Sequence, residues 1–354
     1  MATEPAATSR RDYGWIIGIW AVVVAFAIVT ALRSYQVDIP MRDPGGRLFR
    51  NRLLGTAMFF AIFVLVDAAV RVGRRGWSIR KTVAVLRSRW PGSRLALALS
   101  GLLAYHIVYV CYRNLKSWDV FNTPLDHDLL RIDSWLFFGH SPAVLLHDLL
   151  GRDVSAHVLA AIYESFANLV SITFVAALVF ANRLRDGFVF LVAAMWVWIL
   201  GVASYYLVPS LGPFASAPHE FAQLAQTSIA STQDTYLLQR TNLLADPSRS
   251  TGFASISAFA SLHVGYTFMV LLMLRYYGLR LLAHAVTVFL VATMLATIYF
   301  GWHFVTDDVA GLLLAYIAVQ LAKLMVYPKG RPDATPGTSG TPAATGSIGA
   351  AGMN

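Results

Sequence analysis

The stretch that decides the fold runs from Leu262 to Asp308, LHVGYTFMVLLMLRYYGLRLLAHAVTVFLVATMLATIYFGWHFVTDD. Two histidines, His263 and His303, stand forty positions apart in it, and nearly everything between them is apolar. A helix rises roughly 1.5 Å per residue, so about 20 residues cross a ~30 Å hydrocarbon layer. Forty residues take the chain across a membrane and back, which returns both histidines to one face. Asp307 follows His303 at a spacing of four, on the same side of a helix.

Outward from this stretch, the composition carries the same message. Of 354 residues, 57% are hydrophobic and 13% charged, about half the charge of a soluble globular domain. The sequence predicts an all-α, polytopic membrane bundle. Eight apolar runs have spanning length, at about 14–32, 54–72, 95–112, 157–181, 187–208, 257–275, 280–300 and 304–326. The first lacks a small-residue cleavage pattern and exceeds a signal-peptide core, so it is expected to be retained. The lone cysteine, Cys111, lies inside an apolar run and excludes an intrachain disulfide.

These runs divide the chain into an N-terminal hairpin with a basic loop over 14–94 and a six-helix domain over 95–327. Residues 1–13 and 328–354, rich in Ala, Gly, Ser, Thr and Pro, are predicted to be disordered because they bury too little apolar surface. Leu125 to Leu150 mixes acids with Trp135, Phe137 and Phe138. It is predicted to form one or two helices along the membrane interface. The long connection from Pro209 to Ser255 is expected to cover the site.

Charge sets the expected orientation. Seventeen of the 28 Lys and Arg, including the basic stretch Arg71 to Arg94 and Arg183, Arg185, Arg275 and Arg280, fall on the side that holds both termini. Most acids fall on the other side. The positive-inside rule then predicts cytoplasmic termini, histidines on the outer face, and the plasma membrane as location. The net charge of +9 is accounted for by membrane topology and anionic headgroups, so no nucleic-acid partner is expected.

The histidines carry the chemistry. On one helix face, Asp307 can accept a proton from one His303 nitrogen and leave the other as a nucleophile. His263 follows Ala260-Ser261 at the start of a span, where free backbone amides favour an anion and make Ser261 a candidate phosphate contact. A nucleophilic histidine with an orienting acid, an acid–base histidine and an anion-binding helix end suffice for phosphoryl transfer. Glu164 and Asn168 lie inside the fourth run, one turn apart, and are candidate substrate contacts, since intramembrane ionisable groups usually face a bundle interior or wet cavity. His106 is expected to be structural or in an aqueous groove, and Asp67 to pair with nearby arginines.

Ala260-Ser261-Leu262-His263 resembles the second signature of the type-2 phosphatidic acid phosphatase superfamily, and His303-x-x-x-Asp307-x-x-Ala310-Gly311 resembles the third. The form Ser-Leu-His-Val-Gly is closer to its inositol phosphorylceramide synthase branch. The resemblance implies that His303 attacks phosphorus, His263 serves as acid and then base, and Asp307 orients His303. The chain departs from the pattern in three places. The first-signature region, Tyr205 to Phe214, has no lysine or arginine; Thr297 stands where an arginine is usual; Ala260 replaces a proline. Arg240, Arg249, Arg113 and Lys116 are the cations left to offset phosphate charge.

The expected activity is a lipid phosphotransferase at the outer leaflet, moving a phosphorylated head group to an inositol or sugar hydroxyl through a phosphohistidine. The alternatives are a lipid phosphate phosphatase, in which water resolves the intermediate, and a non-enzymatic lipid carrier using Glu164, Asn168 and His106. The expected partners are a membrane lipid and a small polyol or sugar acceptor. No cofactor and no metal are expected, because the nucleophile is a side chain.

Overall fold

The computed structural model describes residues 14–73, 76–249 and 252–331, and among them all regular secondary structure is helical. Two helices, α1 (Gly14–Val37) and α2 (Arg50–Gly73), precede a short α3 (Ile79–Arg89) and the long α4 (Gly92–Trp118). Then come α5 (Asp126–Leu136), α6 (Pro142–Leu150), α7 (Val154–Phe180) and α8 (Leu184–Leu207). The remainder is α9 (Pro213–Ser216), α10 (Ser228–Ala245), α11 (Leu262–Tyr276), α12 (Arg280–Tyr299) and α13 (Val305–Val326).

Seven of these helices, α1, α2, α4, α7, α8, α12 and α13, are long and apolar enough to cross a membrane. This is a polytopic all-α membrane bundle. The expected span over 257–275 is corrected to a shorter helix: α11 has 15 residues, which at 1.5 Å each reach only about 22 Å. Ahead of Leu262 the amides are taken by side chains of other segments rather than by carbonyls one turn back. Ala254 N–H donates to Ser117 Oγ (2.8 Å), Phe259 N–H to Ser210 Oγ (3.0 Å) and Ala260 N–H to Ser204 Oγ (2.9 Å). Buried amides must be satisfied somewhere, and here serine hydroxyls of neighbouring segments replace helical carbonyls.

The bundle is built around α8, whose apolar stretch is 72% buried, against 22% for α1 and α2. It packs on α4, α7, α11 and α13. Of the two N-terminal spans, α1 packs on α4 and α13, and α2 on α7 and α3. Within the basic loop, Asp67 pairs with Arg71 (2.9 Å) and Arg89 (2.6 Å). Arg89 also donates to the carbonyls of Val179 and Ala181, capping the end of α7. His106 is buried, its Nδ1 2.7 Å from the Leu102 carbonyl and its Nε2 3.1 Å from Thr56 Oγ1.

The expected interfacial segment is α5 and α6. The long connection after Pro209 contains α10, which sequence periodicity did not suggest; Leu243 buries it against Val120 and Ala254 at the end of α4. Residues 1–13 and 332–354 lie outside the described residues. Residues 328–331, expected to be disordered, instead form a turn in which Arg331 pairs with Asp186 (2.9 Å).

One crossing brings the two signature segments together. The Ser261 amide donates to the Asp307 carbonyl (2.9 Å), and Gly265 of α11 meets Gly311 of α13. A Cβ on Gly311 would collide with the Ser261 carbonyl oxygen. Gly311→Leu is therefore expected to destabilise the protein by roughly 1–3 kcal/mol through overpacking. The expected readout is a lower thermal unfolding midpoint in detergent, with Val309→Leu, at a lipid-facing position of the same helix, leaving the midpoint in place.

Candidate active site

His263 is the second residue of α11, and His303 lies in the turn between α12 and α13. Their ring centroids are 6.1 Å apart. His303 Nδ1 lies 3.4 Å from Asp307 Oδ2, inside ion-pair range but outside hydrogen-bond geometry. The same Oδ2 accepts the Phe304 amide (3.0 Å), so Asp307 also closes the first turn of α13. Its other oxygen is buried with no hydrogen-bond partner in the described structure. Such contacts commonly tighten only when substrate is bound.

Both imidazoles line a cavity of about 220 Å³. Its walls are aromatic: Tyr163 stacks on His263 at 4.3 Å and lies parallel to Trp302 at 5.7 Å, and Phe166 packs on the other part of the His263 ring at 4.2 Å. Two cations from α4, Arg113 and Lys116, complete it. Arg113 donates to Ser255 Oγ (3.0 Å), and Lys116 Nζ sits 5.0 Å from the Tyr205 ring centre. Burial, with His263 and Lys116 nearby, holds the His303 imidazole well below the usual histidine range. A ring held neutral keeps its lone pair for attack.

A family model of the PAP2 superfamily matches residues 127–321. The chain belongs to the PAP2 superfamily. It is therefore an enzyme of the phosphatase or phosphotransferase type. No curated protein and no solved structure matches it. The matched PAP2 stretch begins in α5 and ends in α13, so Arg113 and Lys116 reach the cavity from a helix that precedes it.

Of the ten residues singled out from the sequence, the structure gathers His263, His303, Arg113 and Lys116 around the cavity, with Asp307 directly behind His303. Arg240 is on the face of α10 that carries the cavity-lining Thr232 and Tyr236, one turn beyond them. It acts on Asp119 and Asp126. The other four are placed elsewhere. Glu164 and Asn168 lie on the exposed face of α7, because Tyr163 and Phe166, offset from them by about 100° per residue, take the inner one. Arg249 is exposed in the turn after α10. Ser261 is fully buried as the cap of α11, its Oγ accepting Val264 N–H (3.5 Å).

Sequence reasoning missed Asp308. This buried carboxylate accepts from the Thr297 hydroxyl (3.1 Å). The Thr297 carbonyl in turn takes the Trp302 amide (3.0 Å). The residue in the usual arginine position thus shapes the histidine turn. Its signal was the Asp307-Asp308 pair itself, of which only the first matched a signature. Tyr163, Trp302, Ser255 and Ser257 were also missed, since aromatics and serines in apolar runs carry no mark of the cavity they line.

The lowered His303 pKa fixes the sign of a pH effect. With His303 as the nucleophile, the neutral ring is the reactive form and activity rises with pH through its pKa, so the acid limb of kcat/KM is expected well below about 6.5, the ordinary histidine value. A pH profile with that limb at or above the ordinary value would contradict this electrostatic account.

Proposed function

We propose that this PAP2 enzyme is a lipid head-group phosphotransferase acting at the outer leaflet. The observation that carries the proposal is the single cavity in which two imidazoles face two α4 cations across a wall of aromatic rings. Arg113 and Lys116 take the place of the first-signature cations and can offset the negative charge of a phosphodiester. The remaining aromatic-lined space fits a polyol or sugar ring, whose C–H faces pack on aromatics while its hydroxyls meet Ser255, Ser257 and Thr232.

In the proposed cycle His303 attacks phosphorus, the bond from phosphorus to the lipid oxygen breaks, and His263 gives that oxygen its proton. The acceptor hydroxyl then gives its proton to His263 as its oxygen attacks the phosphohistidine, freeing His303. Atoms and charge balance without a cofactor. Replacing the acceptor by water gives hydrolysis through the same steps.

His303→Ala is expected to lower turnover by roughly 10³-fold or more, and His263→Ala by about 10²- to 10⁴-fold, the worth of positioned proton transfer. Purified protein given a labelled phospholipid, with and without an added polyol, is expected to form a new phosphodiester. Release of water-soluble phosphate alone would overturn transfer in favour of hydrolysis, and full activity in both histidine variants would remove the phosphohistidine route.

The charge at the two ends of the bundle supports one orientation. Arg71, Arg89 and Arg94 gather at the turn between α7 and α8, whereas the cavity lies toward the start of α7 and the end of α8. The positive-inside rule favours a cytoplasmic basic end and an exofacial cavity. Cys111 is buried, so introduced thiols read the topology cleanly. An impermeant thiol reagent on intact cells is expected to label His219→Cys and spare Ser88→Cys; the reverse would invert the orientation.

A further inference from the structure

Between α4 and α7, α5 carries two buried acids, Asp126 and Asp133. They are seven residues apart, close to two helical turns, and so share one face. The opposite character of the helix end is clear from Trp135 and Phe138, 79% and 93% exposed in the protein. An interfacial helix with such residues seats itself in the membrane boundary.

Each acid grips backbone near His303 rather than a cation. Asp126 accepts the amides of Leu211 (3.0 Å) and Gly212 (2.8 Å). Gly212, at φ 103°, lies against the histidine turn so closely that a Cβ there would come 2.6 Å from the Trp302 carbonyl oxygen. Two residues on, the Phe214 amide donates to the Gly301 carbonyl (3.0 Å). On the other side of the nucleophile, Asp133 Oδ2 accepts the Val305 amide (2.9 Å). One helix therefore holds the Gly301–Val305 turn from both flanks, upstream through the Leu211–Phe214 segment and downstream directly. Asp133 Oδ1 is buried with no hydrogen-bond partner in the described structure. Burying a carboxylate for one amide bond is a poor source of stability.

We propose that Asp126 and Asp133 are positioning residues for His303, fixing the nucleophile turn in register with His263 from a helix seated at the membrane interface. The inference rests on His303 as the nucleophile. A misplacement of about 1 Å at a reacting group can cost on the order of 10²-fold in rate.

The test is single-turnover phosphoenzyme formation on full-length protein with labelled phospholipid, which separates rate from the fraction of active molecules. For Asp133→Ala, the expected result is a rate of formation and a kcat at least tenfold lower, with the amplitude and KM unchanged. Asp133→Asn, which keeps an acceptor for the Val305 amide, is expected to recover most of the rate. Asp126→Ala is expected to behave like Asp133→Ala. If Asp133→Ala does not fold, Asp133→Ser stands in, because its shorter hydroxyl falls short of the Val305 amide. A lowered amplitude with wild-type rate would show a purely structural role and overturn the proposal. So would a wild-type rate in the alanine variants, or an Asp133→Asn protein as slow as the alanine one. If wild-type protein forms no phosphoenzyme, the phosphohistidine reading fails by itself, and the kcat ratios then judge the clamp by the same criteria.

Discussion

The close approach of α11 to α13 is the constraint on which the rest depends. Two glycines face each other where the helices cross, and the Ser261 amide bonds to the Asp307 carbonyl beside them. With no side chain at Gly311, the backbone of one signature segment rests directly on the other. The separation of the two histidine rings is therefore set by main-chain contact, the stiffest spacer a helical bundle has. Asp308 reinforces it from within α13 by accepting from the Thr297 hydroxyl, and the Thr297 carbonyl holds the turn of His303.

Around that crossing the protein solves an electrostatic problem in an unusual way. The region where a cationic first signature would stand is neutral, and the positive groups come from α4, a helix ahead of the matched family stretch. Beside the aromatic walls Arg113 and Lys116 are less screened than in bulk solvent, so each acts more strongly on an anion there. Burial, followed by the neighbouring His263 and Lys116, holds the His303 imidazole well below the usual histidine range.

The cover is also structural. α10 is fixed by Leu243 against the end of α4 and by Gln233, which donates to the Phe300 carbonyl (2.8 Å). It supplies Thr232 and Tyr236 to the cavity. The long connection after Pro209 is thereby accounted for by a helix with partners on two sides, which adds a wall from outside the apolar spans to a cavity lined by α4, α7 and α8.

Much of this was legible in the sequence, because a bilayer imposes length and apolarity on any span, and forty apolar residues between His263 and His303 suit one helix out and one back, which α11 and α12 form. The same arithmetic set Asp307 beside His303, since a helix fixes what stands four residues away. What the sequence could not decide was which face each span turns inward. α7 is apolar nearly all round, so nothing in it marked Tyr163 and Phe166 as inner and Glu164 and Asn168 as outer. Arg113, Lys116 and Arg249 looked alike as isolated cations, and only the packing of α4 on α8 brought the first two to the histidines while Arg249 stayed in an exposed turn. Local periodicity fixes what a helix carries; the rotation and partner of that helix are fixed by contacts distant in sequence, and those belong to the tertiary structure alone.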